Sequence, residues 1–338
     1  MDIEKKHPRM YNHKGCENLQ AGLETFFSKM FTKGKQNKTT EELLEFGIIN
    51  IDKSSGPTSF GVSDFVKKSL GLKKTAHFGT LDPKVTGVLP VALSRACKLT
   101  GYFLGEDKEY VGIMQMHEEV SLKEIEKIIK KKFKGIIKQT PPVKSRVKRQ
   151  EREREIKIFE LLEQDGKDIL FRVTCQGGTY IRKICDDLGK ELGIGAHMLE
   201  LRRIRAGIFK EEDKNYPIVN LYDFEKAAEE YKKGDDKLLR EIIIPAEIVS
   251  EVYKVVKVKK EVVKNLWQGK PFFVKDVLSK PGVRKDEIVC VFAEDKFVGM
   301  YKIQQHPRAY PEIFRKEKFT RGKEIFAKPE FVFQPIGE

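Results

Sequence analysis

The chain has 338 residues, 40% of them hydrophobic and 22 of them Phe, a length for two domains and a composition that excludes disorder. It carries 65 Lys and Arg against 51 Asp and Glu, a formal charge of +14 that favours a polyanionic partner. Nucleic acid is preferred over a membrane surface because no amphipathic anchor or lipidation signal is visible. The five scattered cysteines form no C-x-x-C pair, which argues against a zinc ribbon or disulfide framework. With no signal-peptide core and no bilayer-length apolar run, a reducing cytoplasm is expected.

Residues 1–40 are basic, polar and unassigned. Thr39 and Glu42 then form a capping box before a short helix in TTEELLEFG. GIINIDK, 47–53, reads as a buried strand, SSGP as a turn, and FGVSDFVKKSLGL as an amphipathic helix. HFGTLDPKVTGVLPV, 77–91, reads as a loop, VALSRACKLTGYFL as a helix, and KEYVGIMQM, 108–116, as a strand. Ser121 and Glu124 make a second capping box, followed by Ile125, Ile128, Ile129 and Phe133 at helical spacing. EIKIFELLEQ and KDILFRVTC flank Asp165-Gly166, a hairpin signal. TYIRKICDDLGKEL reads as a helix, LRRIRAGIF as a basic strand and VNLYDFEKAAEEYKKG as another helix. From about residue 250, EVYKVVKV, PFFVKDVL, DEIVCVFA and KFVGMYKI are short β-rich runs that suggest a small barrel.

The loop 77–91 presents one acidic residue, Asp82, among stiff and apolar neighbours. Pro83 disfavours the helical region for Asp82, while Gly79 and Gly87 permit tight backbone. Such a carboxylate has a fixed direction. Taken alone, however, an ordinary Asp-Pro turn is the simpler reading. No G-x-S-x-G, H-E-x-x-H or Walker loop occurs, and the six histidines do not cluster in sequence. Any chemistry therefore falls to side chains alone, with no metal and no cofactor expected.

HFGTLDPKVTGVLPV resembles the signature loop of the TruB family of RNA pseudouridine synthases. IINIDKSSGPTSF, KEYVGIMQM, QTPPVKSRVKR, CQGGTYIRKICDDLG and GAHMLELRRIRAGIF follow in the family's order. The β-rich tail resembles a PUA domain, an RNA-binding module. QTPPVKSRVKR, GAHMLELRR and the short stretch after Tyr110 resemble the archaeal, dyskerin-like branch guided by an H/ACA RNA. The first forty residues depart from that branch's usual opening.

The resemblance implies that Asp82 is the catalytic aspartate, detaching uracil from C1′ of uridine and rejoining it through C5. It implies that Tyr110 stacks on the flipped base, that Arg182 pairs with Asp82 and keeps it ionised, and that Tyr180 supports the same pocket. Lys53 would buttress the pocket, with a phosphate contact as a second role. Leu201 would form an aliphatic wall beneath the base. His77 would contact RNA or order the loop. Lys144, Arg146, Lys148, Arg149, Arg202, Arg203 and Arg205 would hold RNA phosphates, and basic residues near Gly269 the guide RNA. For each, a plain structural role is the competing reading.

The expected fold is α+β: a mixed-sheet catalytic domain at 47–249 and a small β-barrel-like PUA domain at 250–338. Residues 1–46 would be an extension packing with the PUA domain. The expected function is the catalytic subunit of an H/ACA guide-RNA particle. Ribosomal RNA would be its substrate, with transfer-RNA uridine-55 left open as another. A kink-turn binder would be among its small protein partners, and no membrane is expected. A stand-alone transfer-RNA uridine-55 synthase and a non-catalytic RNA scaffold are the rivals.

Overall fold

The structure is a computed structural model. It describes residues 35–141, 149–213, 215–278, 282–304 and 324–335. The chain divides into two units, residues 1–38 and 39–338, and the helices and strands from Thr40 onward make up the second.

The larger sheet is mixed. Its centre runs β10 (Ile218–Asn220), β1 (Gly47–Lys53), β3 (Thr86–Leu93), β8 (Ala196–Ala206), β4 (Lys108–Met116), β7 (Asp168–Cys175), β6 (Arg152–Asp165), β5 (Gly135–Gln139). β1 is the buried strand expected of GIINIDK, because its run of apolar residues is covered on both faces. β6 and β7 form the expected hairpin, closed at Asp165 and Asp168 around the Asp-Gly turn. β3 and β8 pair in parallel, with Gly87 opposite Arg203, between otherwise antiparallel neighbours. Helices Ser59–Ser69, Leu122–Lys132, Ile181–Leu192 and Leu221–Lys232 contribute buried apolar residues to the core. The capping boxes at Thr39 and Ser121 are both present. Among the described residues no helix is long and apolar enough to cross a membrane.

The loop reading of 77–91 is corrected by this topology. Only residues 78–85 are loop; β2 (Thr75–His77) and β3 flank it as an antiparallel pair. Gly87 and Pro90 disguised β3, yet Pro90 still contributes its carbonyl, which accepts from Phe78 N at 2.9 Å. VALSRACKLTGYFL is also not one helix. It is the end of β3, a 3-10 turn Ser94–Leu99 and a short helix Thr100–Leu104.

The smaller sheet runs β12 (Val255–Val258), β14 (Ile288–Ala293), β15 (Lys296–Ile303), β16 (Ile325–Val332), β13 (Phe272–Phe273) around its own apolar core. The architecture is therefore α+β with a separate small β body. PFFVKDVL yields only the two residues of β13 before a 3-10 turn, because Asp276 accepts from Phe273 N and closes the chain. Phe46, just ahead of β1, is fully buried and joins the two bodies: its ring stacks on Phe333 at 4.0 Å and Phe297 at 5.5 Å. Arg95 covers Phe333 from the other side, 4.4 Å from the ring centroid.

Candidate active site

Asp82 is held by clamps on the residues either side of it. Ser59, buried at the start of its helix, donates from Oγ to Leu81 O at 2.9 Å and accepts from Leu81 N at 2.7 Å. Lys53, fully covered at the end of β1, donates from Nζ to Ser54 O, Pro83 O and Val85 O at 2.8–2.9 Å. Gly56 N donates to Pro83 O at 3.0 Å, and Val85 N closes the turn on Asp82 O at 3.0 Å. His77 meets Thr80 Oγ1 through Nε2 at 3.0 Å. Burial, then the charge of Arg203, lowers the His77 pKa and favours the neutral ring. At the loop's start, Phe78 stacks on Phe103 at 4.7 Å. The backbone is thus fixed while the carboxylate itself stands half-exposed.

Arg182 reaches that carboxylate. Its Nη2 pairs with Asp82 Oδ2, and the two side chains are 53% and 51% exposed. At such exposure the pair contributes at most about 1 kcal/mol to stability, so its effect is to orient the carboxylate. The helix carrying Arg182 is itself clamped. Gln139, buried at the end of β5, accepts from Tyr180 N at 3.1 Å and donates to Tyr180 O at 3.2 Å. That contact fixes the backbone at Tyr180, the N-cap of this helix, two residues before Arg182. Neither Gln139 nor Ser59 was singled out from sequence.

β4 and β8 form the floor. Tyr110 is buried in the main core with 7% exposure, and Leu201 with 8%. Core packing of Tyr110 is therefore present, and a base could stack only on the part of the ring that stays open. A register shift against β8 between Glu109 and Tyr110 re-aims the ring. Two buried cations stand on the same two strands. Lys108 donates to Phe103 O, Leu104 O and Glu106 O, and burial pushes its pKa down to about 8. Arg203, at 1% exposure, is among the largest fully buried side chains of the chain.

This burial does not fit the phosphate contact expected of Arg203. Arg203 is buried away from any phosphate, and its guanidinium is spent on two backbone carbonyls, Val88 O in β3 at 2.8 Å and Gly79 O in the loop at 3.1 Å. Arg202 is committed to Asp52 by two hydrogen bonds of 3.0 Å and to Glu211 at 2.8 Å. Arg205 is committed to Glu109 at 3.0 Å. Both arginines are thus ion-paired within the chain while keeping part of their side chains exposed. Lys53 likewise buttresses the loop and is too buried for a phosphate. Lys144, Arg146 and Lys148 lie outside the described residues. Arg149 is exposed and lines a cleft of about 540 Å³ with Thr140, Arg182, Lys183 and His197. Arg182, the partner of Asp82, is the lining residue that this cleft shares with the ion pair.

Residues 67–181 match the N-terminal domain of the TruB family of pseudouridylate synthases, and residues 182–250 match a tRNA pseudouridylate synthase B C-terminal domain. A protein of Methanocaldococcus jannaschii named "Probable tRNA pseudouridine synthase B" is 47% identical over 293 residues, 86% of this chain and 84% of that protein. The chain belongs to the TruB family. As a TruB-family pseudouridine synthase it is an isomerase acting on RNA, turning uridine into pseudouridine. Among solved structures, one described as "Crystal Structure of a Cbf5-Nop10-Gar1 Complex" aligns over 89% of both chains, at 37% identity and a TM-score of 0.78. A second, "Structure of H/ACA RNP bound to a substrate RNA containing 2'-deoxyuridine", aligns over 89% of both chains, at 35% identity and a TM-score of 0.76.

Proposed function

We propose that this chain is the catalytic subunit of an RNA-guided H/ACA particle, with Asp82 as the carboxylate that starts the isomerisation. The observation that carries the reading is the likeness, over 89% of both chains, to structures described as a Cbf5-Nop10-Gar1 complex and an H/ACA RNP bound to a substrate RNA. The partners are then a guide RNA and small core proteins of the Nop10 and Gar1 kind, together with a kink-turn binder. Ribosomal RNA is the substrate class. Residues 47–249 are the catalytic domain. Residues 250–338 are an RNA-holding PUA domain, and Phe46, ahead of β1, packs on two of its phenylalanines.

In the reaction the C1′–N1 bond of uridine breaks and a C1′–C5 bond forms, while the proton on C5 is lost and N1 gains one. The clamps on Leu81 and Pro83 hold Asp82 toward the nucleotide, Arg182 orients its carboxylate, Tyr110 offers a ring to the base and Leu201 walls the pocket. Guide pairing selects the uridine, so the protein needs shape and charge rather than a sequence-reading pocket.

A second reading, a stand-alone transfer-RNA synthase, is favoured by the name of the Methanocaldococcus jannaschii relative. Tritium release from 5-tritiated uridine separates the two. A ribosomal target and a T-arm hairpin are each incubated with the protein alone, then with guide RNA and partner proteins. Release from the ribosomal target only with the guide supports the particle. Release from the hairpin by protein alone supports the second reading, and guide-independent release from both RNAs rules out guide dependence.

A further inference from the structure

We infer that Arg203 is a positioning residue of the reaction: from its buried place opposite Tyr110 it ties the Asp82 loop to that tyrosine. The inference rests on the roles proposed for Asp82 and Tyr110.

The position is central. Arg203 stands opposite Gly87 on β3, the strand that leaves the Asp82 loop, and opposite Tyr110 on β4. Its guanidinium has a fixed fork of five donors. Nε donates to Val88 O at 2.8 Å and Nη2 to Gly79 O at 3.1 Å, while Tyr110 stands directly across the β4–β8 pairing from Arg203. Gly79 lies three residues before Asp82. One rigid plane therefore bonds the loop's entry and its exit strand, on the residue paired with the tyrosine proposed to stack on the base.

Two further observations show that the chain accommodates this plane. A Cβ on Gly87 would lie 2.2 Å from Arg203 O, and one on Gly79 would lie 3.4 Å from Arg203 Nη1. Glycine at 87 lets β3 close onto the backbone of Arg203, while at 79 it is the positive φ, not space beside the guanidinium, that favours glycine. Among the described residues no carboxylate pairs with Arg203, and the nearby Lys108 is also a cation. A buried arginine without an acid is an unfavourable way to gain stability, since an apolar side chain of similar volume often serves as well or better. Its geometry, not its charge, distinguishes it from such a replacement. A lysine, with a single donor point, cannot span the same groups.

The test uses the full chain and an RNA on which the wild type is active, with Arg203→Met, Arg203→Lys and Asp82→Asn. Single-turnover tritium release, RNA dissociation constant and unfolding are measured for each. A shift of about 1 Å between reacting groups lowers rates on the order of a hundredfold. Arg203→Met and Arg203→Lys are expected to fold, to bind RNA within about threefold of wild type and to lose about a hundredfold in single-turnover rate. The inference is overturned if a folded variant keeps its rate within about threefold, or if its loss lies wholly in RNA affinity. Should Arg203→Met fail to fold, Arg203→Lys decides by the same criteria. If neither folds, Arg203 is a folding determinant and the inference fails. Asp82→Asn separates the two levels. An active Asp82→Asn overturns the reading of the site itself, whereas a dead Asp82→Asn beside an active Arg203→Met overturns only the role of Arg203.

Discussion

Ser59→Ala removes one oxygen and two hydrogen bonds, both to the residue before Asp82. Leu81 N and Leu81 O are bonded to the same hydroxyl, at 2.7 and 2.9 Å, in a site where Ser59 is 1% exposed and Leu81 3%. Each buried backbone group left unpaired costs about 1–3 kcal/mol. Allowing for partial relaxation, local opening of the loop becomes easier by about 2–4 kcal/mol. At about 1.4 kcal/mol per tenfold, amide exchange protection at Leu81 falls roughly 30- to 700-fold. The helix is spared, because its N-cap is Thr58 and alanine suits the first turn. Catalysis falls with the loop, by up to about a hundredfold in single-turnover tritium release, at nearly unchanged RNA affinity. Hydrogen exchange followed by fragment mass spectrometry reads the first quantity. Protection at Leu81 within threefold of wild type refutes the clamp, and lost protection at an unchanged rate refutes its link to Asp82.

Two further outcomes arise from the same geometry. Lys108 has its pKa pushed down to about 8 by burial, against 10.5 in the unfolded chain. Between those values the unfolded chain holds a proton that the folded chain has lost, so stability rises with pH across this window by about 3 kcal/mol from this group. Subtracting the pH-dependent unfolding free energy of Lys108→Met from that of wild type isolates the rise, and parallel curves contradict it. Gly87→Ala places a Cβ 2.2 Å from Arg203 O at a φ of +99°, against backbone that cannot yield, and is expected to cost at least about 3 kcal/mol in urea unfolding.

The elements legible in the sequence were those whose local signals agree with their burial. Thr39 and Ser121 cap their helices as expected, and Asp165-Gly166 closes its hairpin. β3 was hidden because Gly87 and Pro90 oppose strand propensity. Both are tolerated through tertiary contacts that no window of sequence contains: the close approach to Arg203 and the bond from Phe78. LRRIRAGIF was read as a charge run on an RNA-facing strand. Strand alternation held the correction, since Leu201 and Arg203 are two residues apart and share a face. If Leu201 walls the pocket, Arg203 must point inward with it. Ser59 and Gln139 carried no such signal. A serine after an N-cap and a glutamine at a strand end are common, and their roles depend on partners 22 and 41 residues away.

The central claim is that Asp82, held from both sides and oriented by Arg182, initiates the isomerisation. It is tested most directly by single-turnover tritium release from 5-tritiated uridine with wild type and Asp82→Asn, on whichever RNA the wild type accepts, alongside RNA binding. The account predicts stoichiometric release by wild type, none above background by Asp82→Asn, and RNA affinity equal within about threefold. Pseudouridine formed by a folded Asp82→Asn at a rate near wild type would contradict it.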